Sequence, residues 1–159
     1  MIDEIDFKIL KILQEKARIP NVEVARQIGM APSAVLERIR KLENNGFIDG
    51  YEVRLNPDRF GRSLVAFVQV DVIPRNLDES FGHRVAQLTE VQEVHYIAGE
   101  DGYMLKVRVA GTVALGHLVR DIIGGMVGVR GTRTRIVMET LKETNRISLD
   151  ALQPVESST

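Results

Sequence analysis

The chain has no cysteine and no tryptophan, and only 5 % of its residues are aromatic. Without thiols there are no disulfides and no thiolate metal sites, which suits a cytoplasmic protein. No apolar run approaches the roughly 20 residues that a membrane-spanning helix requires, and the acidic, periodic start "MIDEIDFKIL" is unlike a secretory leader. Charge of one sign is also missing. The net charge is −1, and residues 1–60 hold ten acidic and ten basic side chains. Attraction to a polyanion must therefore come from a local patch.

What is present is a change of pattern near residue 60 in a chain of 159. Residues 3–15 place Ile5, Ile9, Ile12 and Leu13 at helical spacing, with Phe7 off that face. Residues 21–28 predict a short helix with Asn21 as N-cap and Val22, Ala25 and Ile28 on one face, stopped by Gly29. Pro32 suits a first helical position, and Val35, Ile39 and Leu42 mark the inner face of a third helix that Gly46 ends. "FIDGYEVRLN" then predicts a small β-hairpin about Asp49-Gly50, with Tyr51, Val53 and Leu55 alternating.

Beyond "LNPDRFGRS" the order is strand (64–73), helix through Leu77, Phe81, Val85 and Leu88, two strands ("VQEVHYIA", "YMLKVRVA") joined by "GEDG", a helix over 113–123 with Leu115, Leu118, Val119 and Ile122 inward, and a last strand in "GTRTRIVMETLK". This is the β-α-β-β-α-β, ferredoxin-like unit. The fold class is thus α+β: three helices and a small hairpin over 1–54, a linker over 55–63, a ferredoxin-like domain over 64–147 and a tail over 148–159, with "QPVESST" reading as unstructured.

Two helices joined by a three-residue turn match the helix-turn-helix, whose second helix enters the major groove. With Val35, Ile39 and Leu42 inward, Ser33, Ala34, Glu37, Arg38 and Lys41 fall on the other side. Arg38 can reach a guanine edge or a phosphate, Lys41 a phosphate, Ser33 either, and Glu37 a cytosine amino group. Glu37 and Lys41 also form an i,i+4 pair in the favourable order, the pattern of a merely solvated face.

Elsewhere, chemistry is sparse. His83, His95 and His117 lack the spacing of a zinc site. "GGMVGVRG" is glycine-rich but follows a helix, whereas a phosphate cradle follows a strand. No catalytic set emerges, so the sequence predicts no enzyme, no metal and no cofactor.

The text "IDFKIL…NVEVARQIGMAPSAVLERIRKLENNGFIDGY", together with "GEDGYMLKVRV" and "TRTRIVMETLKETNRI", resembles the Lrp/AsnC (feast/famine) transcriptional regulators over nearly the whole chain. The resemblance implies a regulator whose residues 1–54 form a winged helix-turn-helix that binds double-stranded DNA through Pro32, Ser33, Ala34, Glu37, Arg38 and Lys41, with Asn21 near the DNA backbone. It implies a second domain that forms a homodimer, assembles dimers into tetramers or octamers, and binds a small amino acid as effector. The effector would lie at Gly99, Glu100, Asp101, Gly102 and Tyr103, with Thr134, Arg135 and Ile136 on the facing strand. Three positions depart from the family pattern: Ala31 where serine is common, Gly102 in place of an aspartate, and Arg135 where apolar or aromatic residues are frequent. An alternative reading is an amino-acid-sensing regulatory subunit that docks on an enzyme through its first 60 residues.

Overall fold

The computed structural model describes residues 2–73, 80–99 and 102–150. They cluster into two compact units. One holds the chain up to Arg54 together with the segment from Glu143 onward; the other is Leu55–Lys142. The expected tail "QPVESST" and Leu77 lie outside the described residues.

The first unit contains α1 (Glu4–Glu15), α2 (Asn21–Ile28) and α3 (Pro32–Asn44). Its core is Ile9, Leu13, Ile19, Val24, Ala25, Val35, Ile39 and Leu42. Burying these side chains supplies the main stabilisation, since helices this short are marginal alone. Helix α1 begins at a reciprocal capping box. The Asp3 carboxylate accepts from the Ile5 and Asp6 amides, and the Asp6 side chain accepts from the Asp3 amide. This satisfies donors that the helix leaves orphaned. Gly29, at φ 73°, stops α2 in the left-handed region, as its sequence position implies.

Two local expectations are corrected. The N-cap of α2 is Pro20, and Asn21 is the first helical residue; the extended ψ of Pro20 ends the preceding turn without any side-chain cap. That phase buries Val24 and Ala25 and leaves Val22 exposed. The hairpin after α3 is also not formed, because residues 46–56 contain no strand. A tight hairpin turn at Asp49-Gly50 requires a positive φ at the glycine, and Gly50 is not among the positive-φ glycines. The wing is thus an irregular segment, joined to α3 where the Tyr51 hydroxyl donates to Glu43 Oε1 at 3.0 Å.

The second unit is a four-stranded antiparallel sheet in the order β2-β3-β1-β4. Its strands are β1 (Leu64–Val72), β2 (Val91–Ile97), β3 (Gly102–Val109) and β4 (Val129–Ile136). Helix α4 (Ser80–Val85) and helix α5, which starts at Thr112, cover one face over a core of Ala66, Val68, Val70, Val72, Phe81, Val85, Leu105, Val107, Leu115, Leu118 and Ile123. From His117 to Ile123, α5 runs as a π-helix. The extra residue per turn explains why Ile123, rather than Ile122, is fully buried. Strand β4 begins earlier and ends earlier than the alternation suggests. Its partner β1 starts at Leu64, and the amide of Val137 makes the last bond, to the Val65 carbonyl.

The uncovered face is mixed rather than apolar. Phe67 pairs across the ladder with Lys106 and Arg135, and Gln69 with Met104 and Arg133. Asp71 sits between Gly102 and Gly131.

Candidate nucleic-acid and effector sites

Helix α3 is positioned by Val35, Ile39 and Leu42, all buried. Pro32 occupies its first turn, where a missing amide costs nothing. Ala31 precedes it as N-cap with no side-chain hydrogen bond. Ser33, Glu37 and Lys41 are exposed and Ala34 is half-buried. Lys41 and Glu37 form an ion pair of 3.1 Å. Asn21 lines a small crevice with Ile39, Arg40, Glu43 and Tyr51.

Arg38 stands differently from its neighbours. Its Nη1 donates to Asp3 Oδ2 and to Asp6 Oδ1, both at 2.8 Å. Its side chain is 29 % exposed, and that of Asp6 12 %. The guanidinium therefore closes the capping box of α1 and ties that helix to α3. The Asp6 amide, and then Arg38, hold the Asp3 carboxyl below its ordinary range. The two carboxylates in turn raise the Arg38 pKa. Sequence reading placed Arg38 by helical phase and by the family resemblance. The spacing Asp3-x-x-Asp6 is the only local sign of the cluster, and it points to a cap, with no hint of the arginine 32 residues away.

A pH dependence follows. A carboxyl whose folded pKa is lowered stabilises the fold above its unfolded value, near 3.8 for Asp3, and that contribution is lost as pH falls through the folded value. Thermal melts of the wild type should therefore lose stability below about pH 4. Asp3→Ala should start lower and show a flatter acid limb.

The proposed effector residues occupy two places. Gly99 has a φ of 90°; Glu100 and Asp101 lie outside the described residues. Tyr103 packs on the helix side of the sheet, 5.1 Å between ring centres from Phe81 and 5.3 Å from Tyr96. Gly82 lies directly against its ring, where a Cβ would come within 3.2 Å. Gly102 is constrained more tightly: a Cβ there would lie 2.0 Å from the Val70 carbonyl oxygen.

Thr134 and Ile136 pair with Val68 and Ala66, on the helix side, whereas Arg135 pairs with Phe67 on the uncovered side. Gly102 is opposite Asp71 and Arg135 opposite Phe67, on different flanks of β1. Four residues of strand and two strand spacings separate them, about 16 Å in all. Within one chain Gly102 and Arg135 thus do not meet around a ligand as small as an amino acid.

Comparison with known proteins finds two family models along the chain. Residues 2–49 match a family model for winged helix-turn-helix DNA-binding, and residues 65–147 match the Lrp/AsnC ligand binding domain. The leucine-responsive regulatory protein of Escherichia coli is 40 % identical over 148 residues, 92 % of this chain and 90 % of that protein. A transcriptional regulator from Neisseria meningitidis, solved with L-methionine, superposes with a TM-score of 0.88 at 30 % identity, covering 94 % and 98 % of the two chains. The feast or famine regulatory protein of M. tuberculosis, also complexed with L-methionine, gives 0.84 at 33 % identity, covering 92 % and 99 %.

Proposed function

The chain belongs to the Lrp/AsnC family of DNA-binding transcriptional regulators, and from that premise we propose which residues read DNA, what the effector is and how copies assemble. The regulatory class is shared with relatives that are transcriptional regulators rather than enzymes, so the enzyme-docking alternative is not favoured.

Helix α3 reads the duplex through Ser33, Ala34, Glu37 and Lys41, with Pro32 and Asn21 near the phosphates. The observation that supports this most is the exposed strip Ser33–Glu37–Lys41 on a helix whose opposite face is fully buried. Arg38 also belongs to this surface, but its Nη1 is engaged by Asp3 and Asp6. Base contact by Arg38 then depends on the rest of its guanidinium. Residues 1–54 bind DNA and residues 64–147 bind the effector, joined by 55–63. The protein acts in the cytoplasm; among the described residues no helix is long and apolar enough to cross a membrane.

The effector is a free amino acid, and methionine is the first candidate because two structural neighbours were solved with it. Gly99–Tyr103 of one copy and Thr134–Ile136 of another hold it. The separation of Gly102 from Arg135 within one chain is what supports a shared site. This requires at least a homodimer, with tetramers or octamers built from it.

A gel-shift titration over salt, with and without L-methionine and L-leucine, tests the reading. Lys41→Ala should weaken binding to all sequences alike and lower the salt slope by about one per recognition helix. Its stability should not change, since its ion pair is exposed. An unchanged slope in a folded variant removes Lys41 from the interface. Light scattering that gives a monomer at micromolar concentration would overturn the shared effector site.

A further inference from the structure

After the last strand, the chain returns to the helix-turn-helix unit. Two side chains of α1, Lys11 and Gln14, and the backbone carbonyl of Glu15 receive it. The Gln14 side-chain amide pairs with the backbone of Ile147 in both directions: Nε2 donates to its carbonyl at 2.9 Å, and its N–H donates to Oε1 at 2.8 Å. One step N-terminal, Arg146 Nη2 donates to the Glu15 carbonyl at 3.2 Å. Helix α1 has no basic residue of its own in its last turn, so Arg146 supplies the positive charge that this end of a helix favours. At the far end, Lys11 Nζ meets Asp150 Oδ1 at 2.6 Å. Thr144 stiffens the approach by accepting from the Arg146 amide.

We propose that residues 143–150 are a tether through which strand β4 governs the helix-turn-helix unit. The inference rests on the effector reading above. Strand β4 ends at Ile136, beside the candidate effector residues Thr134 and Arg135. The tether takes hold at Glu143, within the unit that carries α3. Only residues 137–142 lie between. A ligand that displaces or orders the end of β4 pulls on a segment already clamped to α1. Helix α1 is in turn joined to α3 by the Arg38 cluster. Covalent connection and bonded contact thus form one continuous path from the ligand strand to the recognition helix, the physical requirement for coupling. The linker before β1 offers a second covalent path, but no described hydrogen bond on it matches this clamp.

The test uses the full chain and two variants, Gln14→Ala with Arg146→Ala, and Arg146→Ala alone, which leaves α1 untouched. Hydrogen exchange read by mass spectrometry across a urea titration reports each unit separately. The two units should open together in the wild type and at separated midpoints in the double variant, with the single variant between. In parallel, operator affinity is measured with and without saturating L-methionine. A ligand-dependent shift, on the order of 5–150-fold for ordinary allosteric coupling, should collapse toward one in the double variant while calorimetric methionine binding is retained. Coincident midpoints and an undiminished ligand response in both variants would overturn the tether. A wild type that does not answer to L-methionine overturns methionine as the effector instead. The tether is then decided by the midpoints: separation in the double variant supports it, and identical midpoints overturn it.

Discussion

Gly102→Asp, which restores the residue that the family pattern has at this position, is expected to destabilise the C-terminal unit severely. The cause is the first atom of the side chain, not its charge. A Cβ at 102 would stand 2.0 Å from the Val70 carbonyl oxygen and 3.2 Å from the Asp71 Cα. Both are backbone atoms of the central strand, so no rotamer change relieves the contact. Either β3 moves off β1 at this end or the ladder between Asp71 and Gly102 opens. Overpacking against backbone that no rotamer relieves sets the cost at about 3 kcal/mol, or on the order of 12–24 °C in melting temperature for a unit of this size. Aspartate adds a like-charge pair opposite Asp71, which is unfavourable across antiparallel strands. Gly102→Ala should therefore show most of the loss and Gly102→Asp slightly more. Melts that tolerate alanine but not aspartate would assign the effect to charge, and melts that tolerate both would mean that the strand end yields freely. If the prediction holds, Gly102 belongs to the sheet, and the carboxylate of the family pattern has no room in this chain without a change in β1.

Periodicity and punctuation revealed most of the architecture. The inner faces of α3 and β1 are readable because their apolar residues repeat at the spacing of the element that buries them. Gly29 and Pro32 mark the turn by their backbone chemistry alone. The misses have local causes. Asn21 has a capping side chain, yet Pro20 already supplies the extended backbone that a cap position needs. Asp49-Gly50 has turn chemistry but no strands that pair, and a hairpin needs both. The π-turns of α5 shift its buried stripe by one residue, because a 3.6-residue period does not describe them.

Candidate sites were less legible than elements, because they are made by long-range pairing. Ser33, Glu37 and Lys41 lie on the exposed side that helical phase assigns to them. Phase says nothing of partners, so the same argument placed Arg38 beside them without its two carboxylates. Likewise Thr134, Arg135 and Ile136 are adjacent in sequence, and alternation sends Arg135 to the face away from the other two. A ligand on the side of Tyr103 and Thr134 would not meet the Arg135 side chain of the same strand. The bonds between Gln14 and Ile147 span 133 residues, and no local pattern announces them.

Arg38→Ala is the second substitution with a large expected effect, and its effect should appear first in stability. The variant loses two charge-assisted hydrogen bonds of 2.8 Å. It also leaves the Asp6 carboxylate in a place where the residue is 8 % exposed and its cation is gone. Partly exposed partners reduce the loss relative to a fully buried pair, so about 1.5–3 kcal/mol is expected from the N-terminal unit. Asp6→Asn in the Arg38→Ala background should recover part of this, because a neutral amide is less costly to leave without a cation. Urea titration of the four chains (wild type, both single variants, the double) gives the coupling energy between the two residues directly. Operator affinity, measured where all four remain folded, then separates two roles. If the double variant regains stability and affinity together, Arg38 acts on DNA only by holding α3 against α1. If stability returns but affinity stays about 1–3 kcal/mol short for the cognate sequence alone, the guanidinium also reads a base. A single variant as stable as the wild type would show that the Asp3–Asp6–Arg38 cluster contributes nothing to the fold.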